Sequence, residues 1–546
     1  MMPNINEVEF DYVIVGGGSA GCVLAERLSR DPNLSVCLIE AGRKDNDVRI
    51  KVPFGLINLM GNPAFDWKLK STGQPAKKGK PVSVPRGKTL GGSGSINSMV
   101  YIRGRPDDYD KWAELGAAGW GWSDVLPYFK EMENNARLHG DELHGSDGPL
   151  HVQDLPSPHR LTEIWQQAGE SLQIPRSTDF NGLDQEGLGV YQTTMKNGRR
   201  WSAADAFLRP AQKRPNLAVY TGWQVEKIHL EGHRASAVRL IKPDAGAAVS
   251  QDIGVRGELI LSAGAIGTPA ILMKSGIGRA DDLQKIGVNP VLDLAGVGQN
   301  LQDHPAVAVF HGGARSGYGL SWSQMPMLAL SPLRYLAMRT GLLASNTVEA
   351  GGFAKTEQNL SAPDVQFHFI PARLGHQGKM IVWGRGYYCD VCLLKPKSRG
   401  QLTLADLSGK LNIDPNLLAD PDDDDRLLKG LKLLRRIMAA PAFDNVRNPE
   451  LAPGPGVQSD DALRDYIAQM MGTAYHPVGT CKMGAAEDDN TVVGADLKLR
   501  KTENIRVVDA SVMPEIVAGN TNAPTMMIAA KAGDIIASDA KGNSNA

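Results

Sequence analysis

Three glycines set directly behind a short apolar run restrict this chain more than any other feature. Tyr12-Val13-Ile14-Val15 reads as a strand, Gly16, Gly18 and Gly21 follow, and Cys22 to Leu28 reads as a helix. In that order the first glycine permits a tight turn, the second lets a pyrophosphate approach the backbone, and the third lets helix and strand pack closely. The helix start then presents free N–H groups and a positive dipole end to phosphate. A second apolar run, Leu34 to Ile39, ends at Glu40. That carboxylate falls about 20 residues past the glycines, where it can accept hydrogen bonds from a ribose diol. Together these features predict a dinucleotide site in a βαβ unit. Glu40 would repel a ribose 2′-phosphate, so FAD or NAD is expected over NADP, and the glycines do not choose between those two.

A second glycine-rich stretch lies at Arg86 to Asn97, where Gly91, Gly92 and Gly94 alternate with Thr89, Ser93 and Ser95. Such a run suits neither a strand nor a helix interior. It exposes backbone N–H groups, as an anion cradle does, and the apolar Met99-Val100-Tyr101-Ile102 behind it predicts burial against a polyphosphate. Strands are expected at Leu217 to Tyr220, Val225 to Ile228 and Val255 to Leu261. The last runs into Ser262 to Pro269 before a helix from Ala270 to Lys274, and Gly296 to His304 forms another polar glycine loop. From about residue 305 to 470 the pattern changes to longer strands and amphipathic helices.

A chain of 546 residues exceeds what one core usually holds. We assign 1–150 to the first part of a cofactor domain, 151–210 to a cap and substrate-domain segment, and 211–305 to the second cofactor part. Residues 306–470 then form a substrate-binding domain, and 471–546 return to the cofactor domain with the catalytic candidates. Trp112, Trp120 and Trp122, in the helical region Asp107 to Asn134, are expected to be packing anchors. Leu161 to Leu172 reads as a helix and Lys196 to Arg200 as a polar turn. Asp422 to Asp425 reads as a helix start, where carboxylates meet free N–H groups, not as a calcium loop.

The 59 basic and 60 acidic residues nearly cancel, so no electrostatic case for nucleic acid exists. Five scattered cysteines do not resemble a disulfide framework and fit a reducing compartment. Cys389 and Cys392 lie in a strand-like run with no second pair, so no metal site is expected. The N-terminal MMPNINEVEF lacks the apolar core of a secretory signal, and no run is long and apolar enough to span a bilayer. A cytoplasmic protein is expected, with peripheral contact to the inner membrane left open by one unusually apolar stretch, Met325 to Met338. Two prolines break that stretch, which reads as a lid over an apolar pocket, as core, or as a membrane-touching surface.

The last hundred residues hold the polar groups best suited to chemistry. Tyr475-His476-Pro477 places an imidazole, which titrates near neutrality and can take a hydroxyl proton. Forty-four positions later stands Asn520, whose carboxamide can donate or accept without changing charge. Spacing does not show that the two meet.

Four blocks in this order resemble the glucose–methanol–choline (GMC) oxidoreductases, an FAD-dependent family. They are Gly16 to Gly21 with Glu40; Arg86 to Asn97; Gly264 to Gly278; and His476 through Val508-Asp509-Ala510-Ser511 to Pro524. The likeness spans nearly the whole chain and is strongest to the choline-dehydrogenase-like and aliphatic-alcohol-dehydrogenase branch of bacteria. It implies an α/β chain, α+β overall, with a Rossmann-like FAD-binding domain and a substrate domain built on an antiparallel sheet flanked by helices. His476 would be the base beside the flavin and Asn520 the second catalytic residue, also touching the cofactor. Gly16, Gly18, Ser19, Ala20, Gly21, Glu40 and Ala41 would hold the ADP half. Arg86, Gly91, Gly92, Asn97, Met99 and Val100 would lie along the pyrophosphate and ring, with Val225 at the adenine and Ala263 nearby. Asp509, Ala510, Asn522 and Pro524 would line the ribityl chain and isoalloxazine. Ile96 stands where some members carry the histidine that binds FAD covalently, so non-covalent FAD is expected. His304 would be a structural loop residue.

The implied reaction is oxidation of a primary alcohol to the aldehyde, with hydride passing to flavin N5 and electrons going on to a quinone, another carrier or O2. The alternatives are choline as substrate, with Glu349 as cation anchor, an oxidase, or a lyase with non-redox FAD. Glu349 also reads as a plain structural hydrogen-bonding group. Tyr475 is the other substrate-pocket candidate.

Overall fold

The computed structural model describes residues 8–242, 249–373 and 382–544, with side chains to residue 540. Part of the N-terminal segment read for a signal, residues 1–7, lies outside them.

The first predicted unit forms as expected: strand Glu9–Val15, helix Ser19–Leu28, strand Val36–Glu40. Val13, Ile14, Val36, Cys37 and Leu38 are fully buried. Strands covered on both faces select such unbroken apolar runs. These strands belong to a seven-stranded mixed sheet. Leu217–Thr221, Val36–Glu40, Glu9–Val15, Val249–Leu261 and Ile505–Val507 run parallel, and Arg234–Lys242 and Gln224–Glu231 add antiparallel strands at one edge.

A second, eight-stranded sheet is antiparallel and centres on Pro305–Gly313, Gly384–Leu393, Val365–Ile370 and Ala350–Ala354, with Gly187–Val190 at its edge. Helix Pro421–Met438 lays Leu427, Leu431, Leu434 and Ile437 on Val365, Phe367 and Val391, in a core of its own. The strands of the two sheets alternate along the chain. The first takes strands between residues 9 and 261 and again at 505–507, the second at 187–190 and between 305 and 473.

Several local expectations change. The helix predicted from Ala270 begins at Gly264 and carries Pro269 inside it. Proline removes the N–H that would bond the carbonyl four residues back, and here the Thr480 hydroxyl takes the Ala265 carbonyl instead, at 2.6 Å. A side chain from far along the chain thus permits what the local sequence forbids. The helix expected from Met526 likewise starts at Asn522, with Pro524 in its first turn. Met325–Met338 is one continuous helix. Pro326 falls in its first turn, where no intrahelical acceptor exists, and Pro332 lies on the exposed side. The helix is not core: it buries Ser331 and Tyr335 while Leu330, Leu333, Leu336 and Met338 are exposed.

Asp420, two positions before the acidic run, caps the helix start by accepting from Asp422 N–H at 2.9 Å. Trp112 and Trp120 are buried and donate to backbone carbonyls at 2.9 Å, as packing anchors do. All five cysteines are free and buried. Among the described residues, no cluster of His, Cys, Asp or Glu could hold a metal ion, and no helix is long and apolar enough to cross a membrane.

Candidate active site

The glycine turn after Val15 is sterically compulsory. Gly16 has φ +105°, and a Cβ there would stand 2.4 Å from the Ser262 carbonyl oxygen; a Cβ on Gly21 would stand 1.9 Å from the Gly16 carbonyl oxygen. Gly18 caps the following helix without a side chain, and no acid occupies the first turn. The helix N-terminus therefore keeps its unpaired N–H groups and positive end for an anion.

The second glycine loop closes over this turn. Gly91 N–H donates to the Gly17 carbonyl at 2.7 Å, and a Cβ on Gly92 would lie 2.8 Å from Gly18 Cα. Ser19 Oγ donates to Asn522 Oδ1 at 2.6 Å, so the start of helix Asn522–Ser544 joins the same place. The starts of helices Ser19–Leu28 and Asn522–Ser544 and the glycine loop thus converge. Gly16, Gly21 and Gly92 leave no room for a Cβ here.

Glu40 ends its strand buried, accepting from Gly17 N–H at 2.9 Å and Gly42 N–H at 2.7 Å. Burial pushes its carboxyl up to about 7. Trp223 N–H donates to the Glu40 carbonyl at 3.2 Å, which brings the Val225 strand beside the acid, with Ala41 between Glu40 and Gly42. At the other side, Asp509 accepts from Gly264 N–H at 2.8 Å and from Thr268 Oγ1 at 2.6 Å, tying Ala263 and Ala510 to one corner.

Lys196 to Arg200, expected as a polar turn, ends in a buried Arg200. It donates to the carbonyls of Ile50 (3.0 Å), Gly94 (3.1 Å) and Asn97 (2.7 Å) and to Asn97 Oδ1 (2.9 Å). Asn97 Oδ1 also accepts from Met99 N–H at 2.9 Å. Met99, next to Val100, takes φ +60°, a left-handed geometry that costs energy in a non-glycine residue and tends to cluster at functional sites. Nothing in a hairpin of arginines and glycine signals an internal brace.

His476 and Asn520 meet. Asn520 Nδ2 lies 3.1 Å from His476 Nε2, and His476 Nδ1 lies 3.1 Å from His304 Nδ1. Asp303 Oδ1 accepts from the backbone N–H of both histidines at 2.8 Å. The segments around them are zipped at Gln302 and Val478, each N–H donating to the other's carbonyl at 3.1 and 3.0 Å. Burial and the positive potential of His304, His368 and Arg86 hold the His476 imidazole well below its ordinary pKa. It is therefore neutral, with a lone pair available, at neutral pH. His304, expected to be a loop residue of structural use only, touches the ring of His476. The loop motif signals neither outcome, because partner choice depends on the zipped pairing.

Tyr475 is partly exposed, with φ +66°. The Arg86 guanidinium donates to its carbonyl, so Arg86 braces the backbone beside His476. Glu349 is elsewhere engaged: its oxygens accept from His159 N–H and Ser345 Oγ, each at 2.6 Å. Burial raises its carboxyl to about 7. Those are the structural hydrogen bonds weighed against a cation anchor.

The GMC oxidoreductase family models match residues 10–306 and 396–529. The chain is 43% identical to an alcohol dehydrogenase [acceptor] of Pseudomonas putida, over 96% of this chain and 95% of that one. It is 40% identical to an oxygen-dependent choline dehydrogenase of Brucella anthropi, over 97% and 96%. Among solved structures it is similar to pyridoxine 4-oxidase from Mesorbium loti, with TM-score 0.86 and 31% identity over 96% of this chain and 99% of that one. An FAD-dependent oxidoreductase from Chaetomium thermophilum matches with TM-score 0.88 and 25% identity, over 98% and 100%. With its glycine cradle, two sheets and two family segments, the chain belongs to the GMC oxidoreductase family, and its cofactor is FAD.

Proposed function

We propose that this protein oxidises a primary alcohol, aliphatic or aromatic, to the aldehyde, and passes the electrons to a quinone or another acceptor. The observation that carries this reading is the 3.1 Å pairing of a neutral, half-buried His476 with Asn520, two residues from the Asn522 that joins the glycine cradle. The relatives named alcohol and choline dehydrogenases support an alcohol substrate.

FAD, when bound, supplies the hydride acceptor. The chain's own residues do the rest. His476 Nε2 takes the hydroxyl proton, and Asn520 Nδ2 donates to the same oxygen, holding the carbinol carbon in line. The proton accepted at Nε2 leaves an imidazolium whose Nδ1–H points at His304. Gly16, Gly18, Ser19 and Gly91 to Gly94 bind the pyrophosphate, and Glu40 takes the ribose hydroxyls. Ile96, buried against Ile50, Leu59 and Phe65, has no group that could bond FAD covalently, so we infer non-covalent FAD.

The test is anaerobic bleaching of the flavin by octanol, benzyl alcohol, choline and glucose. Rapid bleaching by octanol or benzyl alcohol supports the reading, and readmitted air then separates an oxidase from a dehydrogenase. Bleaching by choline alone moves the substrate to the second reading, which the Brucella relative favours. Silence from all four would overturn the alcohol assignment.

A further inference from the structure

Whether His476 can act as a base depends on which ring nitrogen carries its proton, and the side chains behind Asn520 decide that. Tyr191, just past strand Gly187–Val190, is fully buried. Its ring lies over Gly351, where a Cβ would stand 2.5 Å from the phenol oxygen. That oxygen has three neighbours: the Phe367 carbonyl at 2.6 Å, Gly352 N–H at 3.0 Å and the Gln366 amide at 3.2 Å.

A phenol owns one proton and can accept twice. The Phe367 carbonyl only accepts, so the proton goes there. Gly352 N–H only donates. The Gln366 amide must therefore present its NH2 to the phenol, which leaves Gln366 Oε1 toward the Cys392 thiol at 3.9 Å. The same NH2 donates to Asn520 Oδ1 at 3.1 Å. With its oxygen taken, Asn520 must turn its own NH2 to His476 Nε2. Nε2 is then an acceptor, the His476 proton sits on Nδ1, and it is donated to His304 Nδ1. His304 in turn carries its proton on Nε2. That nitrogen has no partner within hydrogen-bonding limits among the described residues.

We propose that Gln366 is a positioning residue that fixes the orientation of Asn520 and, through it, the tautomer of His476 in which Nε2 is unprotonated. This rests on His476 being the base. The chain of single-valued choices starts from two backbone groups, Gly352 N–H and the Phe367 carbonyl, and ends at the reacting nitrogen. A reversed Asn520 amide would put its oxygen on Nε2 and draw the proton onto the nitrogen that must be empty.

Gln366→Glu tests this, because an ionised carboxylate cannot donate to Asn520 whereas a protonated carboxyl can. Titratable and charged groups already surround the pair: His304, His368 with its partner Asp390, Asp303, Arg86 and Lys395, with Tyr191 and Cys392 behind. Only the new carboxyl differs from wild type. In FAD-loaded Gln366→Glu, kcat with the best alcohol of the panel should fall roughly tenfold near pH 8, the cost of losing one hydrogen bond. It should recover as pH drops toward about 6 and the buried carboxyl takes up a proton, with KM little changed. Gln366→Met should show the same loss with no recovery, and it carries the test if Gln366→Glu does not fold. Either variant turning over at the wild-type rate near pH 8, or a Gln366→Glu loss that is equal at every pH, would overturn the role of Gln366. His476→Ala beside them separates two failures. Near-normal turnover there removes the base assignment itself; an inactive His476→Ala with unaffected Gln366 variants removes Gln366 alone.

Discussion

The cradle around Gly16 and the cluster around His476 adjoin at Asn520 and Asn522, yet they are made of different material. The cradle is backbone: Gly16, Gly21 and Gly92 leave no room for a Cβ, and the side chains of Ser19, Glu40 and Arg200 brace it from around, on Asn522, the Gly17 N–H and the Gly94 carbonyl. The cluster is side chain: His304, Gln366, His476 and Asn520 come from four separate stretches and meet only through hydrogen bonds. A backbone cradle cannot be altered without moving the main chain. A side-chain cluster can lose a member and keep its fold. The first is therefore expected to fail as structure and the second as rate.

The sharpest test of that contrast is Gly21→Val. With a Cβ 1.9 Å from a carbonyl oxygen, the variant should yield no soluble flavin-loaded protein, as read by expression and flavin absorbance; a yellow, folded variant would dissolve the distinction. Next in size, His476→Ala should retain FAD and a wild-type melting temperature while turnover falls by ~10²–10⁴-fold, the range for losing a general base. The wild-type kcat/KM should also stay level as pH falls through 6.5. A base whose pKa is depressed remains unprotonated there, and activity is lost only at lower pH. A decline centred near 6.5 would mean that burial does not act on this imidazole as described.

Asn520→Ala removes one donor and should cost roughly tenfold in kcat, on the order of one hydrogen bond, with flavin retained. Unchanged kinetics would remove Asn520 from the site. The smallest effect belongs far from both regions. Leu333 is 65% exposed on helix Met325–Met338, so Leu333→Ser should shift stability by less than about 0.5 kcal/mol. A large drop in melting temperature would show that this face is covered in solution.

The parts legible in the sequence share one property: their determinants are neighbours along the chain. Strand, glycine turn and helix at Glu9 to Leu28 announce themselves because the steric demand of each glycine arises within a few residues. The antiparallel second domain and FAD followed from the family likeness. Helix starts were less legible. Pro269 should have delayed its helix, but the Thr480 hydroxyl, more than two hundred residues away, supplies the missing partner. Arg200 read only as part of a polar turn because its acceptors, the carbonyls of Ile50, Gly94 and Asn97, are distant in sequence. Met325–Met338 read as interrupted because a proline's effect depends on where in the helix it falls.

His476 and Asn520 show both sides. Their residue types and the family likeness marked them as candidates, since an imidazole and a carboxamide are what proton removal requires. Their 3.1 Å approach, the second histidine against the first, and the amide chain back to Tyr191 were decided by tertiary structure alone. Residue type determines what chemistry a group can do. Burial, partner and proton position depend on segments that only the folded chain brings together.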